Sequence, residues 1–325
     1  MDFGSIFSNT AAYLFSPTTI AYALAATGLA VHFGYTGLLN FGMAAFMAIG
    51  GYGYAISVLT FGFPWWAGVL VGVIAGALFA LILGIPTLRL RADYLAIATI
   101  ATAEVVRLLF LTELFKDWTN SAGGLSGYHQ SFRDANPFPP GTYGFGPWTY
   151  NANDLWVRVV GLLALAASVL LVWALMRSPW GRVLKGIRED EDAVRSLGKN
   201  VFAYKMQALV VGGVIGALGG IVFVLPSAVI PGSYSTSLTF FIWTILLLGG
   251  AATVLGPTLG AVLFWLVFAF LGALLPAMAT AGYLPMSSAQ ADVVRYIVIG
   301  VVLMLIVIFR PQGILGNKRE MTFVK

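Results

Sequence analysis

Residues 177–205, RSPWGRVLKGIREDEDAVRSLGKNVFAYK, decide the fold. They hold seven of the 18 basic side chains of the protein and four of its 13 acidic ones. The sequence on either side of them is almost entirely apolar. A polar segment between two apolar ones must lie in water, and an excess of Arg and Lys is typical of the cytoplasmic side of a membrane. We therefore interpret residues 177–205 as a cytoplasmic loop between two membrane spans.

The composition of the whole chain also indicates a membrane protein. Of its 325 residues, 59% are hydrophobic and 10% are charged, and the mean hydropathy is +0.88. A soluble domain averages about half apolar and about a quarter charged residues. The net charge of +5 does not indicate nucleic-acid binding, because the basic residues lie at the ends of apolar segments. The absence of cysteine excludes disulfides and cysteine-based sites.

Hydropathy predicts an all-α polytopic membrane protein with nine transmembrane helices in a single domain, residues 1–325. Residues 238–275 are too long for one span, since about 20 residues suffice, and we divide them at a turn near residues 253–257. Residues 1–17 are interpreted as an interfacial segment. The predicted spans are 18–33, 38–60, 65–88, 94–111, 156–176, 206–225, two within 238–275, and 293–309.

The charged loop orients these spans. If it lies inside, alternation leaves thirteen basic residues inside and five on or near the outside, as the cytoplasmic preference of Arg and Lys requires. The N-terminus is then outside and the C-terminus inside. Residues 112–155 become an extracytoplasmic loop, and their length predicts either a function or a small structure of their own.

Within the charged loop, residues 189–197 favour a short helix, and Gly198 is suited to follow its C-terminus. A run of charges is often only a solvated surface. A charged helix that lies along the membrane between two spans, however, suits insertion into a groove of a cytoplasmic partner. The candidate coupling residues are Arg182, Lys185, Arg188, Glu189, Asp190, Glu191, Asp192, Ala193 and Gly198.

Two stretches in opposite halves of the chain are interrupted by glycine. They are GYTGLLNFGMAAFMAIGGYG at residues 34–53 and LGGAATVLGPTLG at residues 248–260. Small residues permit close packing of helices, whereas a broken helix can line the pathway of a polar solute. Both interpretations stay open. The candidate pathway residues here are Thr36, Asn40, Gly42, Gly249, Gly250, Gly256 and Pro257.

The fourth span, near residues 91–110, contains Glu104 and Arg107, which share a helix face and can pair. Ionisable groups within a span are candidates for function. Their position toward the outer end favours a structural or gate-positioning pair over direct contact with a solute. His32 and His129 are separated by the topology, so a shared metal site is not expected. Neither a catalytic constellation nor a phosphate-binding loop is present in the sequence.

Residues 178–205 closely resemble the cytoplasmic loop of the LivM-type permeases of branched-chain amino acid importers driven by an ATP-binding cassette (ABC). Asp192-Ala193-Val194-x-x-x-Gly198 is similar to the importer motif Glu-Ala-Ala-x-x-x-Gly. Residues 34–42 and 248–260 and the Arg91-x-Asp-Tyr sequence also resemble segments of this family. In residues 248–260, Ala251-Ala252 replaces the glycine that the family has between Gly249-Gly250 and Gly256-Pro257. The resemblance implies that the charged loop carries a coupling helix, which sits in a cleft of an ATPase subunit.

The resemblance further implies a permease subunit in the bacterial inner membrane, with no cofactor of its own and no metal site. The implied partners are a second homologous permease, two ATPase subunits that bind ATP and Mg²⁺, an extracytoplasmic solute-binding protein and lipid, with no nucleic acid. The expected solutes are Leu, Ile and Val, and the alternative is urea or a short amide. A proton-coupled secondary transporter in which Glu104 titrates is a different class of function. An intramembrane hydrolase is less favoured, because the sequence offers no nucleophile–base pair.

Overall fold

The computed structural model describes residues 3–310 and 312–316, and the regular secondary structure of this part of the chain is helical apart from one two-stranded ribbon. The ribbon pairs β1 (Thr142–Tyr143) antiparallel with β2 (Tyr150–Asn151). A π-helical segment, Ala30–Tyr35, continues α2. The predicted all-α class is therefore confirmed. In chain order the α-helices are α1 (Phe3–Ala12), α2 (Pro17–Leu29), α3 (Met43–Leu59), α4 (Trp65–Thr87), α5 (Ala92–Leu111), α6 (Lys116–Thr119), α7 (Gln130–Asp134), α8 (Ala152–Arg177), α9 (Pro179–Glu189), α10 (Glu191–Ser196), α11 (Val201–Val224), α12 (Thr236–Gly249), α13 (Gly256–Thr280) and α14 (Ser288–Phe309).

Helix length supports six or seven membrane spans in the described residues rather than the predicted nine. Helices α4, α5, α8, α11, α13 and α14 are long and apolar enough to cross a membrane, and α1 with α2, bent by 44°, would add a seventh. Helices α3 and α12 are apolar but have 17 and 14 residues. They are therefore about 25 and 21 Å long, against about 30 Å of hydrocarbon. The glycine-interrupted stretches next to α3 and α12 make these helices short, so the count of nine is not confirmed.

Helix α11 lies at the centre of the bundle and packs against α2, α3 and α4. Its glycines permit contact between backbones. A Cβ atom added to Gly220 would lie 1.9 Å from the Met47 carbonyl oxygen, and one added to Gly50 would lie 2.2 Å from the Ala217 carbonyl oxygen. Such close approach gives van der Waals attraction, on which helix association in lipid depends. The glycines between α3 and α11 therefore serve packing, one of the two roles expected for the first glycine-rich stretch.

The connections between helices gather at two ends of the bundle. At one end, which we call the charged end, the loop between α8 and α11 meets the turn between α12 and α13 and residues 312–316. At the opposite end, the connection from α5 to α8 meets the one from α11 to α12. There Leu125 and Val229 exchange backbone hydrogen bonds of 2.9 and 3.0 Å. The Trp148 indole N–H also donates to the Ala11 carbonyl oxygen at 2.9 Å, which holds α1 at this end.

Two boundaries differ from the sequence prediction. Helix α8 begins at Ala152, inside the predicted outer loop 112–155, because the side chain of Asn151 accepts a hydrogen bond at the start of the helix. The predicted outer segment 276–292 is mostly helical. There α13 continues past its internal proline, and α14 already begins at Ser288, behind a capping box.

The connection between α5 and α8 packs against the bundle and has a small structure of its own, made of α6, α7 and the ribbon. The buried Tyr128 hydroxyl lies within hydrogen-bond distance of the carbonyl oxygens of Val224 and Ser227, at 3.1 and 2.6 Å. Burial, together with the neighbouring Arg133, lowers the pKa of His129 below its ordinary value. The connection is therefore anchored to the end of α11.

Replacement of Gly220 by alanine tests the packing of α11 on α3. The added Cβ would lie 1.9 Å from the Met47 carbonyl oxygen, so the helices must move apart, at a cost of about 1–3 kcal/mol. We expect a lower midpoint of thermal unfolding for the detergent-purified variant. In the control Gly300→Ala, nothing lies within 4 Å of the added Cβ, and the midpoint should stay unchanged or rise, since alanine favours helix. Equal midpoints for the two variants would contradict this packing.

Candidate functional site

The charged loop folds into two helices, α9 and α10, rather than the single helix predicted at residues 189–197. Helix α9 follows Ser178 and begins with Pro179, a residue suited to the first helical position. One side of it is buried through Leu184 and Ile187. The serine–proline pair and the apolar residues three positions apart were available as signals in the sequence. A prediction based on the charged residues alone does not contain α9.

Asp190 separates the two helices and caps α10. Its side chain accepts hydrogen bonds from the backbone N–H groups of Asp192 and Ala193, at 3.0 and 2.9 Å. After the last turn of α10, Gly198 adopts a φ of 76°, in the left-handed region that glycine enters without strain. The predicted helix is therefore confirmed over Glu191–Ser196, together with the place of Gly198 behind it.

Two ion pairs lie within α10, and a third joins α10 to the start of α11. Arg195 contacts Glu191 and Asp192, each at 2.9 Å, on the exposed side of α10. The second carboxylate oxygen of Glu191 accepts a hydrogen bond from Lys205 of α11, whose side chain is only 14% exposed. A single exposed pair contributes little to stability, but a network holds orientation. The network therefore holds α10 against the start of α11.

Arg188 extends from the end of α9 to the first glycine-interrupted stretch. Its guanidinium donates a hydrogen bond to the carbonyl oxygen of Gly34, in the π-helical continuation of α2. Gly37 lies against the same side chain, and a Cβ atom added there would be 3.2 Å from Cγ of Arg188. Gly37 also has a φ of 77°. The structure thus brings together two motifs that the sequence analysis identified separately.

Between Tyr35 and Met43 the chain leaves helical geometry while most of it remains buried. Such backbone needs hydrogen-bond partners within the protein. The Phe41 N–H donates to the Thr99 hydroxyl of α5 at 2.9 Å, and the Gly42 N–H donates to the side-chain oxygen of Asn40 at 2.7 Å. The indole N–H of Trp243 in α12 donates to the Asn40 carbonyl oxygen at 3.2 Å. Helices α5 and α12 therefore hold this segment in place.

His32 is part of the same network. Its Nδ1 lies 3.0 Å from the Asn40 amide nitrogen, and its Nε2 lies 3.0 Å from the Leu209 carbonyl oxygen of α11. In the neutral ring with the proton on Nε2, Nδ1 accepts from Asn40 and Nε2 donates to the carbonyl. His32 is therefore a satisfied buried polar group. Thr36 is buried too, and its hydroxyl donates to the Val31 carbonyl oxygen at 2.8 Å. Within residues 3–310 and 312–316, no group of acidic residues and histidines could hold a metal ion.

The second glycine-interrupted stretch is a tight turn that touches the first. Helix α12 ends at Gly249, Gly250 has a φ of 116°, and α13 begins with Gly256 and Pro257. A Cβ atom added to Gly249 would lie 1.8 Å from the Gly256 carbonyl oxygen, so the two helices cross at their backbones. The predicted break between two helices in this stretch is therefore present.

The two stretches meet at Gly34. A Cβ atom added to Gly34 would lie 1.8 Å from the Ala251 carbonyl oxygen. Since Arg188 donates to the carbonyl oxygen of the same glycine, three segments converge at one point. We call this meeting of Arg188, Gly34 and Ala251 the junction. It lies at the charged end, and it includes none of the ionisable residues of α5.

Glu104 and Arg107 are paired, as predicted, but apart from the junction. The Arg107 Nε donates to one carboxylate oxygen of Glu104 at 3.0 Å, and the Nη2 donates to the other. The side chains of Arg107 and Glu104 are 21% and 40% exposed. Glu104 lies about three turns beyond the start of α5, which is at the charged end. The pair therefore braces a half-exposed side of α5.

Comparison with known proteins identifies relatives over most of the chain. The family described as branched-chain amino acid transport system, permease component, matches residues 13–307. The chain is 28% identical over 329 residues to the high-affinity branched-chain amino acid transport system permease protein LivM of Salmonella typhimurium, across 94% of this chain and 70% of that protein. A probable LivM permease of Methanocaldococcus jannaschii is 28% identical over 256 residues, across 78% and 67% of the two chains. The nucleoside ABC transporter permease protein NupC of Lactococcus lactis is 27% identical over 207 residues, across 62% of each.

Replacement of Asn40 by leucine tests the network around the non-helical segment. The change leaves the Gly42 N–H and the His32 Nδ1 buried without their partners, and each loss costs about 1–3 kcal/mol. We expect a clearly lower midpoint of thermal unfolding. The control Asn153→Ala removes an exposed amide that accepts a hydrogen bond from the Asn136 side chain, and it should shift the midpoint little. A midpoint for Asn40→Leu equal to that of the control would contradict the role of the network.

Proposed function

Because the chain belongs to the family of branched-chain amino acid transport permease components, we propose that it forms part of the membrane pathway of an ABC importer. It is a multi-pass protein of the bacterial inner membrane. The observation that carries the proposal is the hydrogen bond from Arg188 of the charged loop to Gly34 of the non-helical stretch. This contact gives a cytoplasmic motor a direct mechanical connection to the membrane segment.

We place the charged end in the cytoplasm, with the N-terminus outside and the C-terminus inside. The excess of basic residues at this end supports that orientation. In this arrangement all nine apolar segments cross the membrane. Helices α3 and α12 reach across it with the help of residues 36–42 and 250–255, since non-helical backbone is tolerated at membrane depth where protein surrounds it.

Helices α9 and α10 form the surface that couples the permease to an ATPase subunit. Helix α10 is short, charged and exposed, and its N-terminal cap and ion pairs keep it ordered. A displacement of α10 reaches α11 through Glu191 and Lys205, whereas a displacement of α9 reaches the junction through Arg188. The proposed coupling residues are Arg182, Lys185, Arg188, Glu189, Asp190, Glu191, Asp192, Ala193 and Gly198.

The two glycine-interrupted stretches shape the pathway near its cytoplasmic end, and the Glu104–Arg107 pair positions α5 farther out. Broken helices near the membrane midplane are typical of solute sites in transporters. The proposed pathway residues of the first stretch are Thr36, Asn40 and Gly42. Those of the second stretch are Gly249, Gly250, Gly256 and Pro257. The chain carries out no chemistry itself, since its homologues are permease subunits, and the ATPase partners bind ATP and Mg²⁺.

The proposed solutes are Leu, Ile and Val, because the relatives matched over most of the chain are named as branched-chain amino acid permeases. A nucleoside is the alternative that the similarity to NupC supports over a shorter alignment. Urea or a short amide is a further alternative, because the spans contain few ionisable groups. A proton-coupled transporter in which Glu104 titrates is less favoured, because Arg107 occupies both oxygens of that carboxylate.

The opposite end of the bundle is the proposed docking surface for an extracytoplasmic solute-binding protein. The connection from α5 to α8 and the one from α11 to α12 are joined there through Leu125 and Val229. A partner that contacts one connection therefore also acts on the end of α11. A second, homologous permease and a second ATPase subunit complete the proposed assembly.

Reconstitution tests the importer proposal. The full assembly for reconstitution contains this chain, its homologous permease, both ATPase subunits and the binding protein. Proteoliposomes with this assembly should take up labelled leucine only when ATP is supplied on the side of the membrane where the ATPase subunits lie. Charge reversal of residues 189–192 to lysine should abolish that uptake, because α10 then loses its cap and its ion pairs. Competition by unlabelled leucine, a nucleoside or urea identifies the solute. Uptake that persists without ATPase subunits would contradict the proposal.

The substitution Arg188→Ala tests the junction. We expect the ATPase subunits to remain bound and to hydrolyse ATP, while uptake per ATP hydrolysed falls by about tenfold, within the usual range of coupling free energies. The variant Arg188→Lys can still donate to the Gly34 carbonyl oxygen and should restore part of the coupling. In the control Arg177→Ala, the lost guanidinium stacks on Trp173, outside the junction. Wild-type coupling in Arg188→Ala would show that the junction transmits nothing.

A further inference from the structure

A cleft at the charged end lies beside the proposed coupling helix α10. It has a volume of about 810 Å³ and lies between the connection from α4 to α5, helix α10 and the start of α11. Its walls carry both apolar and charged side chains. The apolar residues that line it are Leu88, Leu90, Val201 and Phe202.

The charged residues of the cleft give it a positive balance. Five basic side chains and two acidic ones line it, which leaves a formal excess of three positive charges. Both carboxylates, Glu191 and Asp192, are already engaged by Arg195 and Lys205. The other three basic side chains contact no carboxylate within residues 3–310 and 312–316. They are Arg89, Arg91 and Lys199.

An apolar stripe leads along α4 to the mouth of the cleft. Leu78, Ile82 and Ile85 are 54%, 70% and 57% exposed, and their spacing places them on one helix face. Arg89 follows four residues after the last of them. Its guanidinium lies over the ring of Phe202, 5.8 Å from the ring centre. The surface thus changes from apolar to cationic in one direction, from the membrane toward the water.

We propose that this cleft binds the headgroup of an anionic phospholipid, with the acyl chains along the α4 stripe. A phosphodiester offers one negative charge and acceptor oxygens that suit Arg and Lys donors. Basic pockets between helices on the cytoplasmic side are a general form of anionic-lipid site. An acidic protein segment would complement the charge but would leave the apolar stripe unused. The inference rests on the membrane orientation proposed above, but on neither the solute nor the ATPase.

The position of the cleft gives the lipid a consequence for the coupling surface. One wall is the connection from α4 to α5, and the other contains Glu191 and Arg195 of α10. A phosphate between these walls draws Arg89 and Arg91 toward α10. The bound lipid therefore holds the coupling helix against the membrane-spanning bundle.

Native mass spectrometry of the detergent-purified chain tests the site. The probes are dioleoyl phosphatidylglycerol, which is anionic, and dioleoyl phosphatidylethanolamine, which is zwitterionic. Wild-type protein should retain one phosphatidylglycerol molecule in preference to phosphatidylethanolamine. The double variant Arg89→Gln, Arg91→Gln should bind phosphatidylglycerol at least about tenfold more weakly. The matched control Arg177→Gln, Arg310→Gln removes two basic residues of the same end outside the cleft and should keep the wild-type affinity.

The single variant Lys199→Gln should weaken binding by about fivefold and provides a second measurement if the double variant is not monodisperse. Equal retention of the two lipids, or equal binding by the cleft and control variants, would overturn the site. Displacement of the lipid by inorganic phosphate would reveal a simple anion site and overturn the lipid assignment. Release of the lipid when ATPase subunits bind would assign the cleft to a protein interface instead. None of these results depends on uptake of a solute, so failure here leaves the importer proposal in place.

Discussion

The rest of the structure depends on one constraint: backbone that leaves its helix inside a membrane bundle must find all its hydrogen-bond partners in the protein. Residues 36–42 impose this constraint, and Asn40, Thr99, Trp243 and His32 meet it. The partners come from α5, α12 and the end of α2, and the histidine also binds a carbonyl of α11. The helices around residues 36–42 therefore supply the hydrogen-bond partners that this short non-helical segment requires.

Glycine has two distinct uses in this fold. At Gly50 and Gly220 it removes the side chain from a helix–helix contact, and the result is rigid packing of α3 on α11. At Gly34 it lets a second turn approach the backbone, and it leaves a carbonyl oxygen free for Arg188. The first use stabilises the bundle, whereas the second allows the contact between the charged loop and the first glycine-interrupted stretch. Glycine thus serves helix packing at Gly50 and Gly220, and the approach of two other segments at Gly34.

The sequence predicted those features that local patterns encode. Hydropathy located the apolar helices, charge located residues 177–205, and helical spacing identified the Glu104–Arg107 pair. The number of spans was not predictable in this way, because it depends on where α3 and α12 stop. The contact of Arg188 with Gly34 was also missed, since no periodicity encodes a partner 154 residues away. Thr99 gave no distinct signal, because it is one of two threonines in the apolar part of α5.

Residues 312–316 complete the end of α12. The N–H groups of Ile314 and Leu315 donate to the carbonyl oxygens of Leu248 and Gly249, at 2.9 and 3.0 Å, and so satisfy acceptors that the last turn of a helix leaves open. In the order of synthesis these donors come more than sixty residues after their acceptors. The end of α12, next to the turn that carries Ala251, is consequently complete only after α13 and α14 have been synthesised. A chain interrupted before residue 314 lacks both of these donors, so the last turn of α12 keeps two carbonyl groups that the full chain satisfies.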